Sequence, residues 1–215
     1  MSKLPLSGAK ICGLSTPETV KAAVDAGAAF IGFVFFPKSP RNVSPELARD
    51  LGAEIPACVL KTGLFVKQSV AEIAQIVETA KLDAIQLHGT YNAADINAVK
   101  SMTGKPVLWV KGISCEADFD GIEAETAAAD YLLFDAKAPA GSDRPGGNAL
   151  SFDWTLLANR SFSKPWMLAG GLNPDNVAEA MAKTGAKLVD VSSGVETAPG
   201  VKSDMLIKDF VQATR

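Results

Sequence analysis

The sequence predicts an α/β protein, a single-domain (β/α)8 barrel of near-minimal size spanning residues 1–215. Three observations lead there. Short runs rich in β-branched and apolar residues alternate with longer stretches of helical period, the pattern of a parallel sheet covered by helices. Eight such runs fit into the 215 residues. The last two, Trp166-Met167-Leu168-Ala169 and Leu188-Val189-Asp190-Val191, each run into a glycine-bearing turn that opens a helix. Two such turns side by side after the final strands form the phosphate site of many closed eight-stranded barrels. An open doubly wound sheet satisfies the alternation too, but the Gly-x-Gly-x-x-Gly turn that usually follows its first strand is missing.

Strands are expected over residues 9–13, 29–35, 58–66, 84–87, 107–111, 131–135, 166–169 and 188–191. The segments between them carry helix start signals. Thr16-Pro17-Glu18, Ser44-Pro45-Glu46 and Asn173-Pro174-Asp175 each place a capping side chain before a proline at the first helical position. Ser69-Val70-Ala71-Glu72 reads as a capping box. Gly27, Gly52, Gly104 and Gly185 mark helix ends just before the next strand. Two polar loops leave the predicted catalytic face, residues 36–43 after the second strand and residues 136–151 after the sixth. The second exceeds the roughly 12 to 15 residues common for a structureless connection, which points to a loop that closes over a ligand.

Bulk properties narrow the function. A chain with 47% hydrophobic and 21% charged residues suits one soluble core, and no apolar run nears the roughly 20 residues of a membrane span. The first residues lack the apolar stretch of a secretory signal, so a cytoplasmic location is expected. A net charge of −3 gives no general attraction to nucleic acid or to an anionic membrane, and an anionic ligand must be held by a local cluster. Cys12, Cys58 and Cys115 are odd in number and far apart, which predicts free thiols rather than a disulfide framework or a zinc site. With a single histidine, His88, and no cluster around it, no metal site is expected. A monomer is the default state, with a homodimer as the alternative.

Cys12 and Asp135 stand at the C-terminal ends of the first and sixth strands, where barrel enzymes carry their chemistry. As a base, Cys12 needs its thiol pKa lowered from about 8.5. Lys10 shares its strand parity and is a source of positive charge, unless it pairs instead with Asp190 on the neighbouring eighth strand. A lone cysteine is more commonly a small buried hydrophobe. Asp135 follows the apolar run Tyr131-Leu132-Leu133-Phe134, and desolvation there would raise its pKa towards that of a proton donor at neutral pH, the bland alternative being a helix cap. His88, just past the fourth strand, is assigned an accessory ligand contact. Arg41, between Pro40 and the following loop, is either a solvated charge or a fork aimed at a carboxylate or phosphate. Gly170, Gly171, Ser193 and Gly194 offer backbone N–H groups to a phosphate. Lys61, Lys111 and Lys137 are candidate Schiff-base nucleophiles for a rival aldolase or synthase reading. Phe33, Phe35, Phe65 and Trp109 read as packing.

Taken together, Lys10-Ile11-Cys12-Gly13, Ser39-Pro40-Arg41, Gly63-Leu64-Phe65, Gln86-Leu87-His88-Gly89, Phe134-Asp135 with Gly146-Gly147, Leu168-Ala169-Gly170-Gly171-Leu172 and Asp190-Val191-Ser192-Ser193-Gly194-Val195-Glu196 with Pro199-Gly200 resemble the phosphoribosylanthranilate isomerase family over essentially the whole chain. The resemblance implies a cofactor-free Amadori rearrangement in tryptophan biosynthesis on a small phosphorylated substrate. Carried over by position, it makes Asp135 the general acid, Cys12 the general base and Arg41 the holder of the anthranilate carboxylate. It also makes the turns at Gly170, Gly171, Ser193 and Gly194 the phosphate cradle; Asp190 and His88 are further candidates for substrate contact. Two segments depart from the family pattern, Gly146-Gly147-Asn148-Ala149 after the sixth strand and Ser203 where an aspartate is common; the latter is expected to affect helix entry.

Overall fold

The computed structural model describes residues 4–137 and 151–215. Eight parallel strands close into a barrel in the order β1 to β8: Gly8–Cys12, Phe30–Val34, Leu60–Phe65, Ala84–Leu87, Val107–Ile113, Tyr131–Ala136, Trp166–Leu168 and Leu188–Val191. The order follows the sequence all the way round, and Lys10 pairs in register with Asp190 where β1 meets β8. A short antiparallel hairpin, β9 (Glu196–Ala198) and β10 (Val201–Lys202), follows β8.

Seven helices accompany the described strands: α1 Pro17–Ala26, α2 Pro45–Leu51, α3 Val70–Ala80, α4 Ala93–Thr103, α5 Glu123–Ala128, α6 Val177–Thr184 and α7 Asp204–Ala213. Thr16, Ser44 and Ser69 cap α1, α2 and α3 as expected, and Ser69 forms the full reciprocal box with Glu72. Gly27, Gly104 and Gly185 end their helices in the left-handed conformation, and Gly52 ends α2 in a right-handed one. The third proline signal misplaced its helix. Asn173 Oδ1 accepts from the N–H groups of Asp175 and Asn176, so residues 174–176 form a turn and α6 starts at Val177 behind Asn176. Ser203 caps α7, accepting from the Leu206 N–H, so the serine does serve helix entry. Between β6 and β7 the described residues hold only a 3₁₀ turn, Trp154–Leu157, where a helix was expected. Most of the 136–151 loop, including Gly146-Gly147-Asn148-Ala149, lies outside the described residues.

Strand parity divides the core in two. Odd-parity residues of the first strands, among them Phe33, Phe35 and Phe65, together with Trp109 of β5, pack under the helices in the larger apolar cluster. The opposite faces fill the barrel interior with Phe30, Leu60, Ala84, Leu108, Tyr131, Leu133, Met167 and Leu188. Following the register around the closed sheet, alternate strands contribute side chains to successive layers. Phe30, Ala84, Tyr131 and Leu188 form the floor, where the Phe30 and Tyr131 rings meet edge on. Above it lie Lys10, Thr62, Leu108 and Met167, then Gly32, Gln86, Leu133 and Asp190, with Cys12 and Asp135 towards the open C-terminal mouth. The interior thus changes from apolar to polar along its axis, which places the chemistry at one end.

The Ser69 box is a local test of how α3 begins: Ser69→Ala should destabilise the fold by about 1 kcal/mol in urea unfolding, and an unchanged midpoint would show that the cap contributes nothing.

Candidate active site

Lys10 is fully buried and donates to Asp190 Oδ1 at 2.7 Å, so the register settles the alternative left open by the sequence. Gly32 makes room for this group. A methyl placed on Gly32 would lie 2.9 Å from Cys12 Cα, 3.0 Å from its Sγ and 3.2 Å from Lys10 Nζ. The thiol and the ammonium therefore share the space that the missing side chain leaves.

Burial pushes the Cys12 thiol up; Lys10 and Lys202 pull it down and Asp190 pushes it up again, and the result is a thiol above its ordinary range. The lowering that a base near neutrality needs is not reached: the positive charge of Lys10 is present, but Asp190 offsets part of it and desolvation wins. Burial also raises Asp135, with Asp190 adding to the effect and the Ala136 N–H and Lys10 opposing it, from 3.8 to about 7. The Ala136 N–H bond to Asp135 Oδ1 is 2.8 Å. Lys10 itself loses affinity for its proton through burial, but Asp190 and Cys12 outweigh that loss, and it stays protonated. One ion pair therefore acts on both proton-transfer candidates.

Arg41 reaches the mouth from the loop after β2. Ser39 N–H bonds to Phe36 O, Asn42 N–H to Ser39 O and Arg41 N–H to Ser39 Oγ, a tight turn that sends the arginine inward. Its stem lies against Gly13, whose backbone is left-handed (φ +79°) and where a methyl would come within 2.6 Å of Arg41 Cδ. The guanidinium is neither solvated nor idle: Nε and Nη2 bind the two oxygens of Glu196 at 2.6 and 2.7 Å. Lys202 shares that carboxylate at 2.7 Å. Glu196 is held well below the usual carboxylate range, at about 2, because these two cations outweigh its burial. Sequence reading assigned no role to Glu196, Lys202 or Gly32. The pattern offered only that Glu196 ends a glycine turn.

The two turns after β7 and β8 touch. Gly170 (φ +87°) and Gly171 (φ +67°) lie at the end of β7, and a methyl on Gly170 would approach Ala136 N to 2.7 Å and Asp135 Oδ1 to 3.3 Å. A methyl on Gly194 would overlap the carbonyl oxygen of Leu172, so the second turn seats against the first. Asn176 Nδ2 donates to Gly171 O at 3.0 Å and fixes the first turn. Among the described residues, the N–H groups of Gly171, Ser193 and Gly194 donate to no carbonyl. His88 is buried at the end of β4, its N–H bonded to Phe65 O. Asp190 is occupied by Lys10. Among the described residues no group of side chains could hold a metal ion.

The rival lysines lie elsewhere. Lys61 has the parity of the helix-facing side and pairs with Asp83 at 3.8 Å, and Lys137 pairs with Asp118 at 2.5 Å. Lys111 has the helix-facing parity of β5. The lysine inside the barrel is Lys10, whose charge is fixed by Asp190.

A closed barrel with a half-buried carboxyl group, a buried thiol and paired glycine turns at its C-terminal mouth has the layout of a barrel enzyme. The family model of N-(5'-phosphoribosyl)anthranilate (PRA) isomerase matches residues 9–213. A relative named N-(5'-phosphoribosyl)anthranilate isomerase from Paracoccus denitrificans is 50% identical over 202 residues, 94% of each chain. One of the same name from Paramagnetospirillum magneticum is 48% identical over 206 residues, 96% of each. Among solved structures, phosphoribosyl anthranilate isomerase from Thermotoga maritima superposes with a TM-score of 0.83 at 34% identity, covering 97% of this chain and 98% of that one. A phosphoribosyl anthranilate isomerase solved in complex with reduced 1-(o-carboxyphenylamino)-1-deoxyribulose 5-phosphate superposes at 0.79 and 32% identity, with the same coverage. The chain belongs to the N-(5'-phosphoribosyl)anthranilate isomerase family.

The raised Asp135 makes a stability prediction. Its folded pKa exceeds its unfolded one, so the folded chain keeps a proton that the unfolded chain releases, and stability is lost as pH rises from about 4 through 7. Asp135→Asn should therefore be more stable than wild type at pH 8, by about 2 kcal/mol, less than the full shift because the group is partly open to the mouth. In urea unfolding the difference should shrink towards pH 4; a variant no more stable at pH 8 would show that Asp135 is not strained by burial.

Proposed function

We propose that Asp135 and Cys12 are the acid and base of the family's reaction in this chain, with Arg41 and the paired turns holding the two anionic ends of the substrate. The reaction is the Amadori rearrangement of N-(5-phosphoribosyl)anthranilate to 1-(2-carboxyphenylamino)-1-deoxyribulose 5-phosphate, a step of tryptophan biosynthesis. It is an isomerisation, so two proton transfers balance it. Protonated Asp135 gives its proton to the furanose ring oxygen, the C1′–O bond breaks and a Schiff base forms. The Cys12 thiolate takes the proton from C2′, the C–H electrons form the C1′=C2′ bond as the C=N π pair returns to the anthranilate nitrogen, and the enolamine tautomerises to the ketone by moving the C2′ hydroxyl proton to C1′.

The observation that carries this reading is the placement of a carboxyl group titrating near 7 and a buried thiol about one lysine–aspartate pair. For the substrate carboxylate, the Nη1 side of Arg41 remains after Nε and Nη2 have taken Glu196. For the phosphate, the N–H groups of Gly171, Ser193 and Gly194 and the left-handed turn at Gly170 give a backbone cradle beside Asp135. His88, buried at the end of β4, and Asp190, through Lys10, complete the wall.

The product of one carboxyl titrating near 7 and one thiol titrating higher has a specific pH signature. Both groups are in the required state only in the minor form, acid protonated and thiol ionised, so kcat/KM should rise with pH up to about 7, stay flat, and fall above the thiol pKa. Loss of anthranilate fluorescence in the coupled assay would follow it. A profile without an acid limb near 7 would remove Asp135 as the titrating group.

Substitutions separate the roles. Cys12→Ser and Asp135→Asn should each lower kcat on the order of 10² to 10⁴-fold with folding intact. Arg41→Ala should instead raise KM about tenfold to a hundredfold, the worth of a charged hydrogen bond. Wild-type KM in that variant would sink the assigned contact. Binding of phosphorylated ligands without any turnover would favour a non-catalytic role.

A further inference from the structure

Lys10 favours the Cys12 thiolate, but Asp190, bound to it at 2.7 Å, offsets part of that pull and burial outweighs the rest. A second cation, Lys202, also acts on Cys12. Arg41, Lys202 and Glu196 put two cations on one carboxylate, leaving a net positive charge buried beside the mouth. Lys202 is 1% exposed, and its ammonium has three donors to place. They go to Glu196 Oε1 at 2.7 Å, Ser192 O at 2.7 Å and Ser192 Oγ at 3.2 Å. The Ser192 hydroxyl in turn donates to the Cys12 carbonyl at 3.1 Å. The lysine is thus tied through one residue to the backbone that carries the thiol.

The same carboxylate aims the arginine. The Gly200 N–H donates to Glu196 Oε2 at 3.2 Å, and a methyl on Gly200 (φ +84°) would come within 2.8 Å of Pro40 O, so the β9–β10 hairpin rests on the loop that carries Arg41. We propose that Lys202 is a positioning residue of the reaction that supplies the counter-charge for the Cys12 thiolate, while Glu196 holds it and Arg41 together, so that the hairpin sets the base and the carboxylate clamp as one unit. This rests on Cys12 being the base.

The charges facing Lys202 agree with the role. Burial lowers its pKa; Glu196 and Cys12 raise it and Arg41 lowers it, with the result near 8. Lys10 and Asp190 also face Cys12 and act on it in opposite senses. The lysine is protonated at neutral pH, and because an ionised Cys12 raises its pKa the two titrate as a coupled pair, the thiolate helping the ammonium keep its proton and the ammonium favouring the thiolate.

The test uses the full chain with Cys58→Ser and Cys115→Ser, which removes the two exposed thiols and leaves Cys12 as the titrating one. Ultraviolet thiolate absorbance against pH is read with kcat for wild type, Lys202→Gln, Lys202→Met and Lys202→Arg. The two uncharged variants should move the thiolate midpoint up by about one pH unit and lower kcat about tenfold, with KM nearly constant. Lys202→Arg should keep both. A lysine acting only as a structural prop would weaken stability in all three variants without moving the midpoint. Wild-type midpoints in a folded uncharged variant would overturn the proposal, and either uncharged variant suffices. Full kcat in Cys12→Ser would instead overturn the base assignment, and the lysine midpoints show which of the two has failed.

Discussion

The ion pair between Lys10 and Asp190 is the constraint around which the site is arranged. It lies in the barrel interior, where two charges are costly to desolvate and where removing one partner costs about 3 to 5 kcal/mol. Apolar residues of similar size would fill the same space without that cost. What the pair adds is electrostatic: Asp190 pushes both Cys12 and Asp135 towards their protonated forms and Lys10 pulls both back. The proposed acid and base sit on different strands, yet the same two charges tune them.

Close approach is the second theme. Gly32 leaves room for the thiol and the lysine, Gly13 for the arginine stem, Gly170 for the Asp135 carboxyl, and Gly194 for contact between the two terminal turns. At each of these positions a side chain would fall on an atom of the site or on the backbone that supports it. The barrel supplies rigid strand ends, and the glycines let loops from β2, β7 and β8 converge on them.

Strand positions were legible because each strand is a short apolar run between helix signals; Phe33, Phe35 and Phe65 were legible as packing, but choosing the helix side over the barrel interior needed the closed sheet. Cys12, Arg41 and Asp135 were legible because each stands at or just past a strand end. The Lys10–Asp190 partnership was half legible: parity put Lys10 beside Cys12, but choosing between the thiol and the aspartate needed the β1–β8 register, which only barrel closure sets. Glu196 and Lys202 were not legible as a pair, since the hairpin that folds them onto Arg41 is three and two residues per strand and carries no periodicity. The titration of the thiol was not legible for an energetic reason: charge partners can be guessed from sequence, but the desolvation that outweighs them cannot. Likewise Asn173 has the chemistry of a cap, yet its side chain closes a turn before the helix begins.

The account stands on one pair tuning two groups in the same direction, and the most direct measurement of that is the pH dependence of kcat/KM in wild type and in Asp190→Asn. Removing the carboxylate charge while Lys10 keeps its own should shift both limbs of the profile to lower pH, because Asp190 raises Asp135 and Cys12 alike. If a folded, active Asp190→Asn enzyme keeps both limbs at their wild-type positions, the pair does not tune the site and the central claim is wrong.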